Sequence, residues 1–257
     1  QRQMSIRDRP YTKYIDTNNL RIFALEEVSD LYIRDVALIY DSMFENTQLI
    51  DLIKQKRFLN TLKKKNVYQR IVKQTSAKDE TPIPSQPLKG PYNKNAVDVI
   101  WQLPEEEKAG VANEIVEHLL HTITQMGFYY AFPNEWSWDI KNSPIHLAMQ
   151  EAIKKGYYDI SDYREFTDPL SFAMVTTQEF AYWMIIAEWN YYDFLIEGGH
   201  PEFGVHSQSK MIKKLPLAHE LYMSTVAKVI SPPSKILLDK YLTEKIIGKK
   251  KKRFFIF

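Results

Sequence analysis

The stretch VANEIVEHLLHTITQMGF, residues Val111 to Phe128, decides how the second half of this chain folds. Its apolar residues recur every three or four positions, which is the spacing of one buried helix face. Gly127 suits the left-handed position that often closes a helix. The pattern predicts a helix from Lys108 to Met126 that ends at Gly127.

Glutamate and histidine side chains form a stripe along this predicted helix. Positions three or four residues apart lie on the same helix face. The members of the stripe are Glu114, Glu117, His118 and His121. The chain has no cysteine, so a metal ion would have to be held by imidazole, carboxylate or tyrosine groups. The stripe therefore predicts a metal site, and a buried hydrogen-bond network between helices is the alternative.

Upstream of this helix, the sequence predicts a small sheet. Alternating apolar and polar residues indicate strands in Leu20–Asp30, Val67–Lys73 and Ala96–Trp101. Two helical stretches separate the first two strands. One follows the capping residues Ser29 and Asp30, and the other covers Leu49 to Lys65.

From Pro104 onward, the pattern is mainly helical. Besides the histidine helix, we expect helices from Ser143 to Lys155, Thr176 to Ile196, Pro216 to Ile230 and Lys235 to Ile247. The chain thus predicts an α+β fold in a single domain, residues 20–247. A small mixed sheet should lie in residues 20–103 and a helix-dominated half in residues 104–247. Residues 1–19 should form a polar arm, and residues 248–257 a basic and apolar tail.

The stretch V-E-H-L-L-H-T-I, Val116 to Ile123, resembles the metal helix of gluzincin metallopeptidases, particularly the secreted group related to anthrax lethal factor. In that group the helix reads like V-H-E-F-A-H-T-I. A glutamate on a later helix, in a stretch like E-[FY]-[FW]-A, supplies the third ligand. Here Glu179 stands directly before Phe180 and Ala181. The resemblance covers roughly residues 20 to 197 and implies a zincin-like core with peptidase-related, metal-dependent hydrolase activity.

The first two letters of the family motif are exchanged in this chain. Glu117 stands at the first histidine-ligand position, and His118 stands where a glutamate activates the metal-bound water. The resemblance therefore implies Glu117, His121 and Glu179 as ligands of Zn²⁺ or, given two carboxylates, of Mn²⁺ or Fe²⁺. His118 would be the catalytic base and should face the open side of the site. A second assignment has His118 and His121 both as ligands, with Glu114 or Glu117 nearby.

Loss of the usual catalytic carboxylate leaves two functions open. One is a metal-dependent hydrolase that acts on a peptide or protein. The other is a catalytically inactive protein that keeps a zincin scaffold for binding or for structure. The loop Glu197–Lys210 carries His200 and His206 and could reach over an active site. The segment Phe132–Asp139 has two tryptophans that could stack on a substrate, and surface-loop and core-packing roles are the alternatives.

Composition narrows the choice of partners and of compartment. The 34 basic and 32 acidic residues give a net charge of +2, so we expect no nucleic-acid partner. No run reaches the roughly twenty apolar residues of a membrane span, so no stable membrane insertion is expected. The basic cluster Lys249–Arg253 should be part of a solvated tail. A start at Gln1 rather than Met fits a secreted or periplasmic protein whose signal peptide is gone and equally a trimmed sequence, whereas the absence of cysteine neither proves nor excludes export.

Overall fold

The computed structural model describes residues 11–74, 91–92, 95–104, 110–196 and 198–242 of the chain. In these ranges the protein has an α+β fold with a small mixed sheet, and most of its helices lie in the C-terminal half. The predicted fold class is confirmed. The beginning of the predicted arm and the whole predicted tail, residues 248–257, lie outside the described residues.

The strands and helices have the following bounds. The strands are β1 Lys13–Thr17, β2 Leu20–Ala24, β3 Tyr68–Lys73 and β4 Val99–Gln102. The α-helices are α1 Asp30–Ser42, α2 Leu52–Lys65, α3 Val111–Thr122, α4 Tyr129–Ala131, α5 Pro133–Trp136, α6 Pro144–Lys154, α7 Pro169–Glu188, α8 Tyr192–Leu195, α9 Gln208–Lys214, α10 Pro216–Ser224 and α11 Lys235–Asp239. None of these helices combines the length and apolar character that a membrane crossing would need.

The described residues fall into two compact units. The first unit contains the residues up to 45, from 59 to 122, and from 233 onward. The second unit contains residues 46–58 and 123–232. The single domain expected for residues 20–247 stays a prediction.

The sheet belongs to the first unit, with its strands in the order β1-β2-β3-β4. β1 and β2 form an antiparallel hairpin, whereas β2, β3 and β4 are parallel. The hairpin turn is Asn18-Asn19, at φ 34° and 64°, because a two-residue turn of this kind requires positive φ, which asparagine tolerates. β1 lies within the segment expected to be a polar arm. Lys13–Thr17 instead pair with β2 as the edge strand of the sheet, and Thr17 is buried.

Helix α3 packs on β3 and β4 in the first unit. It does not end at Gly127, which was expected to close it. The chain continues from α3 through a π-helical turn, Ile123–Phe128, into α4. Gly127 is not among the glycines with positive φ. Phe128 is fully buried against Phe58 and Trp136 in the second unit, and this packing favours the continued helical path.

Helix α7 is the central helix of the second unit. It begins at Pro169 rather than at Thr176, because the Asp168 side chain caps it by accepting a hydrogen bond from the backbone N–H of Ser171. The helix ends at Glu188 rather than at Ile196. Asn190, just after that end, has φ 55°, which a helix does not accommodate.

A buried acid–imidazole pair joins α7 to α10 within the second unit. Glu188 has a side chain that is 0% exposed, and Nδ1 of His219 lies 3.0 Å from its Oε1. Burial raises the pKa of Glu188, and the hydrogen bond and charge of His219 oppose that rise. His219 is therefore the group that compensates a carboxylate otherwise buried in an apolar interior.

We expect His219→Ala to lower the free energy of unfolding by about 2–3 kcal/mol. Breaking a buried pair costs about 3–5 kcal/mol, and the value is smaller here because His219 is 26% exposed. Urea denaturation measures the change. Glu220→Ala is the control, since Glu220 is exposed on the same helix and its loss should cost less than about 0.5 kcal/mol. Equal losses in both variants would contradict the prediction.

Candidate metal centre

Two neighbouring elements of the first unit position a cluster of acids and histidines. Helix α3 carries the predicted stripe, and Asp98 immediately precedes β4. The first two residues of that strand, Val99 and Ile100, are buried in the sheet. Because α3 packs on β4, the Asp98 carboxylate lies against the histidines of the helix.

His121 is the most enclosed histidine of this cluster. Its side chain is 2% exposed, and Nδ1 lies 2.8 Å from Oδ2 of Asp98. Burial raises the pKa of the Asp98 carboxyl, but the charges of His121 and His118 outweigh it and hold that pKa well below its usual range. An ionised carboxylate only accepts hydrogen bonds. The 2.8 Å contact is a hydrogen bond in which Nδ1 of His121 donates when Asp98 is ionised.

Both ring nitrogens of His118 face carboxylates. Nδ1 lies 3.0 Å from Oδ2 of Asp98, and Nε2 lies 3.1 Å from Oε1 of Glu114. Burial lowers the pKa of the His118 imidazole, but Asp98 and Glu114 outweigh it and bring the pKa well above its ordinary value. The side chain is only 17% exposed. His118 is thus held between two acids, instead of facing the open side of a site as the motif led us to expect.

Glu114 is anchored by the sheet. Its Oε1 accepts a hydrogen bond of 2.8 Å from the backbone N–H of Trp101 in β4. The same oxygen faces Nε2 of His118. A continuous series of polar contacts therefore runs from the strand through the two acids to His121.

Glu117 and His121 are brought together as the helical spacing predicts. They lie one turn apart on α3 and offer ligand atoms within 4.8 Å of each other. Glu117 also accepts a hydrogen bond of 2.8 Å from Nδ2 of Asn113. Glu179 lies on α7 in the second unit. Its role as third ligand stays a prediction of the sequence.

The first unit contains a group that could hold a metal ion. Asp98, His118 and His121 each offer a ligand atom, and these atoms all lie within 4.8 Å of one another. Imidazole and carboxylate groups are suitable ligands for Zn²⁺, Mn²⁺ and Fe²⁺. The donor types therefore fit a divalent ion, while the choice among the three ions stays a prediction.

Asp98 is the member of this cluster that sequence reasoning missed. In the stretch AVDVIW it reads only as the polar residue of an alternating strand. Its position in a predicted strand is unusual, because aspartate is depleted in strands, and this could have drawn attention to it. That signal identifies neither the partner of the acid nor the face toward which it points.

The other candidate residues from the sequence analysis, His200, His206 and Trp136, pack against aromatic side chains in the second unit. The ring of His206 stacks on Tyr192 with 3.8 Å between centroids, and His200 stacks on Trp183 at 5.2 Å. Trp136 is buried and stacks on Phe128. The contact of Trp136 agrees with the core-packing alternative for its segment, and the roles in oxyanion or substrate binding stay predictions.

Comparison of the chain with protein-family models, with curated proteins and with solved structures found no match. The resemblance to gluzincins therefore rests on the motif residues alone. A functional assignment has to be argued from the chemistry of the cluster on α3.

Proposed function

We propose that this protein binds a divalent metal ion on α3 and is a metal-dependent, peptidase-related hydrolase with a zincin-like core. The observation that carries the proposal is the convergence of ligand groups around His121, whose ligand atom lies within 4.8 Å of those of Asp98 and His118. Three carboxylates, from Asp98, Glu114 and Glu117, accompany two imidazoles on or beside one helix face. Imidazole and carboxylate groups at this spacing are suitable ligands for a divalent ion.

The ligands that we propose are Glu117, His121 and Glu179. Support comes from the one-turn spacing of Glu117 and His121 and from the E-F-A stretch that begins at Glu179. One imidazole and two carboxylates suit Zn²⁺, and also Mn²⁺ or Fe²⁺. A bound ion would polarise a substrate carbonyl and lower the pKa of its own water.

A non-catalytic protein with the same scaffold is the second candidate, and the position of His118 favours it. A general base must direct a lone pair at the water that it activates. Both nitrogens of His118 instead face carboxylates, at 3.0 and 3.1 Å. In this case the scaffold would bind a peptide or protein without cleaving it. Under either candidate function, we predict that the protein is secreted or periplasmic.

Metal analysis of the purified protein tests the proposal directly. We expect about one ion per chain after dialysis against Zn²⁺, Mn²⁺ or Fe²⁺ and removal of free ion. A protein that retains none of these ions would contradict the metal function. Turnover of a peptide library by the metal-loaded protein, absent after chelation, would separate the hydrolase from the non-catalytic candidate.

His118→Ala should leave the ion bound, with a Kd within about tenfold of the wild-type value. His118 is not among the proposed ligands, and changes outside the ligand shell cost about 10–100-fold when they touch a ligand directly. Competition with a chromogenic chelator measures the Kd. A loss as large as that of His121→Ala would show that His118 is a ligand and would support the second assignment.

A further inference from the structure

The contact between Asp98 and His121 assigns a role to a residue outside the family motif. We infer that Asp98 is a positioning residue, which binds the Nδ1 hydrogen of His121 and so presents Nε2 to the metal ion. This inference rests on the proposed metal function and adds to it how the ligand His121 is oriented.

The two nitrogens of the His121 ring have different tasks in this arrangement. A nitrogen that carries a hydrogen cannot bind a metal, so the hydrogen bond made by one nitrogen selects the other as the ligand. Nδ1 lies 2.8 Å from Oδ2 of Asp98, a length typical of a hydrogen bond to a charged acceptor. Metal-binding histidines generally donate their second N–H in this way, which orients the ring and increases its basicity.

The backbone holds Asp98 in place relative to α3. The next residue, Val99, pairs with Arg70 of β3, and both Val99 and Ile100 are buried. Since α3 packs on the same two strands, the distance between the Asp98 backbone and His121 is set by the core of the first unit. A flip of the His121 ring would break its hydrogen bond at a place that is 2% exposed.

His118 also lies beside the Asp98 carboxylate. Its Nδ1 lies 3.0 Å from the same oxygen, Oδ2, that accepts from His121. Its Nε2 lies 3.1 Å from Glu114, which the backbone of Trp101 anchors. The imidazole of His118, at the exchanged motif position, therefore lies between Glu114 and the carboxylate that orients His121.

The affinity of Asp98 variants for Zn²⁺ tests the inference. Asp98→Ala should raise the Kd by about 100-fold, and Asp98→Asn by about tenfold, because an amide oxygen still accepts the hydrogen bond but lacks the charge. Asp16→Asn is the matched control, since Asp16 lies on β1 and pairs with Arg21. It should bind Zn²⁺ as the wild type does. Unchanged affinity in folded Asp98→Ala would overturn the positioning role.

A second measurement needs no variant. The wild-type protein, with labelled histidine and loaded with NMR-active cadmium, should show coupling of the metal to Nε2 of His121, while Nδ1 keeps its hydrogen. Coupling to Nδ1 of both His118 and His121 would overturn the inference, because Asp98 and the two histidines would then bind the ion together. That outcome would leave the metal function intact. Absence of cadmium and Zn²⁺ binding by the wild type would overturn the proposed function as well.

Discussion

His121→Ala should abolish metal binding, raising the Kd for Zn²⁺ by well over the roughly 100-fold that changes outside the ligand shell produce. His121 belongs to both ligand assignments. In the proposed set it is the only imidazole, and the two remaining carboxylates are weak ligands for ions that favour nitrogen donors. Competition with a chromogenic chelator gives the Kd, and elemental analysis gives the amount of ion retained.

Two further variants make this result specific. His146→Ala removes a histidine from α6 in the second unit, so it should keep the wild-type Kd. His121→Gln leaves a polar side chain beside Asp98 and serves where His121→Ala does not fold. A wild-type Kd in either folded His121 variant would mean that the ion does not bind at α3.

Local periodicity explains why so much of the fold could be predicted. Residues three or four apart on a helix become neighbours through helix geometry alone, so the stripe from Glu114 to His121 follows from spacing. Alternation and β-branched residues likewise indicated β2, β3 and β4, although each of these strands buries consecutive residues and not only every second one. The fold class followed from the order of these elements along the chain.

The contacts that matter most for the site could not be predicted, because they join distant parts of the chain. Asp98 lies 23 positions before His121 and meets it only through the packing of β4 on α3. The motif alone suggested an open-facing His118, since it contains neither Asp98 nor the anchored Glu114. The helical path past Gly127 similarly depends on the burial of Phe128. The sequence around Phe128 does not show which residues will bury it.

Binding of the ion should stabilise the protein, and chelation should remove the gain. A ligand that binds only the folded state adds about 4 kcal/mol when its free concentration is about 1,000 times Kd. For a chain of this size, that gain corresponds to a rise in Tm of about 10 °C.

Thermal unfolding at fixed free Zn²⁺, with and without excess chelator, measures this gain. In His121→Ala the rise in Tm should disappear, whereas His219→Ala should unfold at a lower temperature and still show the full rise. The two variants separate the metal-linked part of the stability from the part that depends on the buried Glu188–His219 pair in the second unit. A rise that persists in His121→Ala would place the ion elsewhere. An absent rise in the wild type would mean that the acids of the cluster are compensated by His118 and His121 alone, so that the histidines on α3 have a structural role.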